Sequence, residues 1–374
     1  MVDTDRLLNT LFALLEVDSP SFNEDKIGLF IEGLLKETGI HVIRQDYGDS
    51  FNLVGKYKNP NSPSPPLILS AHMDTIEPTV GIKYNIKDEK LSTKGDTVLG
   101  ADDKSGVAAI IEVLRVIREH NIQTGDIEVV FTSAEERGIV GAKNLDYSLI
   151  EGRYAVVLDV SGAAGTIVKR APTHHTYTME IHGMSAHAGI EPEKGLNAIR
   201  IASEIIGRIP DGRLDEDTTA NIGRITGGTA TNVVPETVLI EGEVRSQSVE
   251  KLTNTKDTIF KTGRSVTKKY PGASIEIKEN EEYRGYSIEE KDPFLTFLKG
   301  EFSKKGIEPI IITTGGGSDA NVFNQRGIKA INIATGMEKV HSKEEYLDLK
   351  EFFKVAEVLL NIVINFKDFA ESTP

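Results

Sequence analysis

The adjacent carboxylates Asp102 and Asp103 sit in V-L-G-A-D-D-K-S-G, between Gly100 and Gly106 and directly before an apolar-periodic helix. That helix repeats through Val107, Ile110, Ile111, Leu114 and Ile117. Either Asp could cap it, because a helix N-terminus presents unpaired N–H groups and partial positive charge. Two in a row leave one to face elsewhere. A single carboxylate can bridge two cations, one oxygen to each, at roughly 3.5–4 Å separation. That task is assigned to Asp102.

Further candidates stand on either side. In His72-Met73-Asp74 the alternate residues of a strand end share a face, so Asp74 can accept from the far nitrogen of His72 and fix it as a metal ligand. In T-S-A-E-E-R-G at 132–138 the paired glutamates follow an apolar strand. Adjacent glutamates commonly mark a solvated surface. At the carboxyl end of a strand, however, neighbours diverge, and we assign Glu136 as ligand and Glu135 as general base. Asp159 ends A-V-V-L-D-V, where an ionised group is expensive unless paired. His341, in E-K-V-H-S, is the only histidine of the C-terminal third. Two ions, each with one histidine, one terminal carboxylate and the shared Asp102, would have three protein ligands apiece and an open position, the arrangement of a catalytic site. Zinc suits this donor set, and cobalt or manganese also fits. The turn Gly315-Gly316-Gly317-Ser318-Asp319 opens a helix. Its amides could take an anionic substrate end, or it is an ordinary tight turn.

The elements that must position these groups alternate. The patterns predict strands at 41–44, 52–56, 66–70 (ending at His72), 127–132 and 154–160, with a helix over about 103–119 and a short helix after Glu136. Earlier helices run through Leu7–Leu15, capped by Asp3 or Thr4, and through Ile27–Leu35, started by Asn23 and Glu24. A proline-rich loop is expected at Asn59–Pro66. This is the rhythm of an α/β fold with a mixed, mostly parallel sheet and helices on both faces, whose ligands sit beyond the carboxyl ends of the strands. Between about 174 and 280 the rhythm changes to long strands paired with two helices, which suggests an inserted α+β domain. The catalytic part is then 1–173 with 281–374.

Composition narrows the function classes. The 374 residues carry a net charge of −14, which disfavours nucleic acid and anionic membrane surfaces as partners. There is no cysteine, so disulfides and thiolate sites are impossible, and any metal must come from carboxylates and the eight histidines. The polar start M-V-D-T-D-R-L-L and the lack of a long apolar run lead to an expected cytoplasmic location without a membrane span.

H-M-D-T at 72–75, G-A-D-D-K-S-G at 100–106, A-E-E-R-G at 134–138, Asp159 and G-M-E-K-V-H-S around His341 together resemble the peptidase T-like family of co-catalytic dizinc exopeptidases. The resemblance implies that Asp102 bridges, that His72 and Asp159 hold one metal and Glu136 and His341 the other, and that Glu135 is the base. It further implies a cis peptide between Asp102 and Asp103. The insert then resembles that family's lid and dimerisation domain. Within it, His187 of H-G-M-S-A-H would stabilise the oxyanion, and Asn232 and Arg245 would grip substrate, Arg245 as a carboxylate clamp. The implied activity is release of the N-terminal residue of short peptides such as tripeptides, by a homodimer. An N-acyl-amino-acid deacylase or a carboxypeptidase would use the same chemistry, and a non-catalytic binding protein on this fold is a third alternative.

Overall fold

The computed structural model describes residues 1–59 and 65–372, so the expected Asn59–Pro66 loop lies for the most part outside the described residues. The chain forms two compact units. One comprises Met1–Arg170, Ser287–Thr313 and Ser318–Pro374, the other Ala171–Tyr286 with Thr314–Gly317.

Short, almost wholly apolar runs build the first unit's sheet. Ile127–Thr132 and Leu67–His72 are buried at every position, as strands covered on both faces must be. Across the sheet the strands are His41–Tyr47, Ser50–Tyr57, Ile127–Thr132, Leu67–His72, Tyr154–Val160, Lys329–Ala334 and Thr166–Ala171, with Ile310–Thr313 also pairing to the last. The four from Ile127–Thr132 to Lys329–Ala334 run parallel. His41–Tyr47 and Ser50–Tyr57 join antiparallel on one side, and Thr166–Ala171 pairs antiparallel with Lys329–Ala334 on the other. After Leu67–His72 the chain crosses to one neighbour, Ile127–Thr132, then returns to the other, Tyr154–Val160. Such a reversal opens a crevice at the strands' carboxyl ends. His72 and Asp159 end the two strands that flank it.

The crossover helix Ala101–Glu119 packs on Leu67–His72 and Tyr154–Val160, and the helices Thr4–Leu15 and Leu349–Ser372 pack on it. It starts slightly before the expected position, with Asp102 and Asp103 outside helical geometry. Gly106 explains the sequence there: a Cβ on it would lie 2.5 Å from Asp103 Oδ1 and 2.9 Å from Leu158 Cβ. Asp3, as expected, caps the first helix by accepting from the Arg6 N–H.

Two features depart from expectation. Thr166–Ala171 is a strand of the sheet, beyond the strands expected in the first 173 residues. A separate four-stranded antiparallel sheet joins Tyr84–Lys87, Lys90–Thr93, Tyr346–Asp348 and Met337–Glu338. Its strands are too short for alternation to register.

The second unit is an antiparallel sheet of Gly212–Arg213, Thr218–Gly227, Thr237–Ser246, Thr173–His182 and Ser274–Tyr283, in that order. Its buried face packs Met179, Ile181, Val238, Ile240 and Val244 against Ile201 and Ile205 of helix Ala198–Ile206 and Ile259 of helix Val249–Thr267. It thus has a hydrophobic core of its own. Among the described residues, no helix is long and apolar enough to cross a membrane.

Candidate metal centre

His72 ends its strand fully buried, with Nε2 3.1 Å from Asp102 Oδ1 and 3.9 Å from Asp159 Oδ1. His341 lies on a turn with φ +62°, and its Nε2 is 2.9 Å from Glu136 Oε2 and 3.3 Å from Asp102 Oδ2. The two oxygens of Asp102 therefore face two different histidines. Among the described residues, His72, Asp102 and Asp159 form one cluster and Asp102, Glu136 and His341 another, each with its ligand atoms within 4.8 Å. Asp102 is the member they share.

Several contacts hold these groups. Asp103 turns back to its own helix, accepting from Gly106 N–H at 3.2 Å, while its other oxygen accepts from His72 N–H at 3.2 Å. The Asp102–Asp103 peptide is cis. Asp159 N–H donates to Asn332 Oδ1 at 2.8 Å. Asp74 does more than expected. His72 Nδ1 lies 2.9 Å from the Asp74 carbonyl and 3.4 Å from its carboxylate. That carboxylate also accepts from the backbone of Glu135 at 2.9 Å and Glu136 at 3.2 Å, and from Ser21 Oγ at 2.6 Å.

Electrostatics favour a cation here. Burial pushes Asp159 and Glu135 well above the usual carboxylate range, and neighbouring acids push the same way. Burial raises Glu136 too. Asp102 is buried as well, but its hydrogen bonds to His341 and His72 hold it well below that range. In turn, Asp102 and Glu136 push His341 up to about 10. Glu136 Oε1 is buried without a hydrogen-bond partner. Crowded acids and an unpaired buried oxygen are costly in themselves, and divalent ions would offset that cost. The nitrogen and oxygen donor set fits zinc or a similar ion.

Sequence reasoning missed four supporting residues. Glu345 Oε2 accepts from Gly100 N–H at 2.8 Å and its Oε1 from Asp102 N–H at 3.1 Å, and burial pushes its carboxyl up to about 7. Glu24, read as a helix start, forms no cap hydrogen bond with its side chain and reaches Ala134 N–H at 2.8 Å. Ser21 holds Asp74. Asp319, noted only as part of a turn, accepts from Thr132 Oγ1 at 2.5 Å, and burial raises it to about 6. A buried acid with several backbone N–H partners carries no period or spacing, so only the preceding S-P-S could have drawn notice.

The second unit holds the remaining candidates. His187 is exposed, its Nδ1 accepting from Gly189 N–H at 3.2 Å, and its backbone bridges to Val233. Asn232 is exposed beside it, its carbonyl accepting from Ala188 N–H. Arg245 is already engaged. It forms a bidentate pair with Glu243 at 3.0 and 3.1 Å, and its Nη1 donates to Tyr283 Oη at 3.2 Å and to the Gly315 carbonyl at 3.5 Å. The Gly316 N–H donates to Thr314 Oγ1 at 3.1 Å. A further cluster, Glu180, His182 and Glu276, lies on the partly exposed sheet face, where Lys278 pairs with Glu276 at 3.0 Å.

Residues 68–365 match the model of Peptidase family M20/M25/M40. Over 97% of its length the chain is 38% identical to protein YqjE of Bacillus subtilis, covering 99% of that relative. It superposes on a tripeptidase from Staphylococcus aureus with a TM-score of 0.92 at 33% identity, covering all of both chains. Aminopeptidase PepT from Bacillus cereus gives a TM-score of 0.87 at 37% identity, over 97% of this chain and 98% of that one.

Proposed function

The chain belongs to peptidase family M20/M25/M40 and is a peptide hydrolase, and from that premise we propose that it is a metal-dependent aminopeptidase releasing the N-terminal residue of short peptides. The observation that carries this reading is the pair of ligand clusters sharing Asp102. Glu135 follows the same strand end as Glu136 and belongs to neither cluster. The similarity to a tripeptidase and to an aminopeptidase supports the choice of short peptides and of the N-terminus.

In this reading His72 and Asp159 hold one divalent ion, Glu136 and His341 hold the other, and Asp102 joins both. The ions, zinc by preference, supply Lewis acidity toward the scissile carbonyl and toward the attacking water when bound. Glu135 accepts that water's proton and delivers it to the leaving amine. Asp74 keeps His72 oriented. From the other unit, His187 would stabilise the oxyanion. Asn232, Arg245 and the amides of Gly315 and Gly316 would read the peptide's carboxylate end. Glu243 then serves to aim the Arg245 fork. The reading includes a homodimer formed through residues 174–280 and a cytoplasmic location, which the cysteine-free sequence suits.

The deciding experiment compares Ala-Ala-Ala with its N-acetylated form, using enzyme loaded with zinc, cobalt or manganese. We expect release of free alanine from the N-terminus of the unblocked peptide alone. Preference for the acetylated peptide would instead identify a deacylase, and release from the C-terminus a carboxypeptidase.

A further inference from the structure

The turn that separates Glu135 from Glu136 is held by a segment far away in sequence. Ala134, which opens it, is a non-glycine residue at φ +49°, a left-handed conformation that an L-residue keeps only when its surroundings enforce it. The carbonyls of Ser133, Ala134 and Glu135 are taken by the N–H groups of Gly141, Val140 and Gly138. The three successive N–H groups at 134, 135 and 136 all go to carboxylates from elsewhere. Asp74 accepts from Glu135 and Glu136, and Glu24 Oε1 accepts from Ala134 at 2.8 Å.

Glu24 belongs to S-P-S-F-N-E at 19–24, a stretch that the metal clusters do not use. Glu24 is 2% exposed, and its Oε1 also accepts from Phe22 N–H at 3.0 Å, which fixes the carboxylate to its own loop. The same loop is fastened to the His72 strand end. Ser19 Oγ donates to the Met73 carbonyl at 3.0 Å, Thr75 N–H donates to the Ser19 carbonyl at 2.9 Å, and Ser21 Oγ donates to Asp74 Oδ2. Buried Lys104 donates to the Val17 carbonyl at 2.7 Å and ties the loop to the crossover helix.

We propose that Glu24, assisted by Ser21, is a positioning residue that sets the direction of Glu135 by holding the Ala134 N–H. This rests on the reading of Glu135 as the base. Without Glu24 the Ala134 N–H would be buried and unpaired, and the left-handed turn would lose the contact that ties it to the 19–24 loop. Misplacement of a reacting group by about 1 Å can cost on the order of 100-fold in rate. Glu24 touches neither metal cluster, so its loss should leave the ions in place.

The test is a kinetic cycle on the full, metal-loaded chain with a tripeptide. Glu24→Ala should lower kcat roughly 10- to 100-fold with little change in KM or metal content. Glu24→Gln keeps the accepting oxygen and should restore activity to within about 3-fold of wild type. In a Glu135→Gln background, Glu24→Ala should cost nothing further, because both act through one group. Additive losses, loss of metal in Glu24→Ala, or failure of Glu24→Gln to restore kcat would each overturn the proposal. If Glu24→Ala does not fold, Ser21→Ala enters the same cycle, with an expected loss of a few-fold that vanishes in the Glu135→Gln background. Full activity in Glu135→Gln itself would instead refute the reading of the base. Full activity in Glu24→Ala alone would refute only the positioning role.

Discussion

In the first unit, His72 is 1% exposed and meets an acid at each ring nitrogen, and the two oxygens of Asp102 face two histidines while its own N–H is held by Glu345. In the second unit, His187 and Asn232 are exposed, and Gly189 N–H supplies the hydrogen bond to the His187 ring. The first set is fixed before substrate arrives, as the proposed metal ligands would require. The second is left solvated, as would suit the contacts to a passing peptide proposed for it. Arg245 lies between these extremes, since Glu243 already orients its guanidinium.

That contrast can be broken in order of expected effect. Chelation should abolish turnover and destabilise the fold by roughly 3–4 kcal/mol per ion when compared with metal at 100–1,000 times its dissociation constant. Added zinc, cobalt or manganese should restore both. Retained turnover in a protein shown to be metal-free would remove the ions from the chemistry. Glu135→Gln should lose about 10²–10⁴-fold in kcat while keeping metal and peptide binding, whereas Glu136→Gln should lose an ion. Were Glu135→Gln to lose the ion and Glu136→Gln to keep both, the two roles would be exchanged.

The second unit should answer differently. His187→Ala should lower kcat on the order of 10²–10³-fold with metal content unchanged, the size seen when an oxyanion donor is removed. An unchanged kcat would leave that histidine a surface residue. Amidating a tripeptide's C-terminus should cost about 2 kcal/mol in kcat/KM, and Arg245→Ala should make that penalty vanish. Equal penalties in both enzymes would mean that the carboxylate is read elsewhere, the Gly315 and Gly316 amides being the alternative. The smallest effect belongs to the second unit's core: Ile240→Val should cost about 1 kcal/mol of stability and leave metal content untouched. A lowered metal content in that variant would mean that the two regions are less separable than supposed.

What could be read from the sequence follows the same division. His72, Glu136 and Asp159 stand at or just beyond the carboxyl ends of apolar strands, and those strands announce themselves by composition. Gly106 follows Asp102 because the helix must approach the sheet closely there, and Gly100 precedes it because the backbone at that point is left-handed, with φ +73°. Glu24, Glu345 and Asp319 were not legible. Their partners are mostly backbone N–H groups distant in the chain, and a charged residue in N-E-D or K-E-E-Y looks like a solvated surface. His187 and Asn232 had no local signal either. They were singled out by resemblance alone, because an exposed side chain on a loop leaves no trace in hydrophobic pattern.

Metal counting tests the central claim most directly. Two ions joined through Asp102 predict graded losses when ligands are removed one at a time. By elemental analysis, the wild type should bind two ions per chain. Asp159→Ala and Glu136→Ala should each retain about one, and Asp102→Ala should retain fewer than either. Two ions per chain in Asp102→Ala, or a single ion in the wild type that survives both Asp159→Ala and Glu136→Ala, would contradict the shared centre.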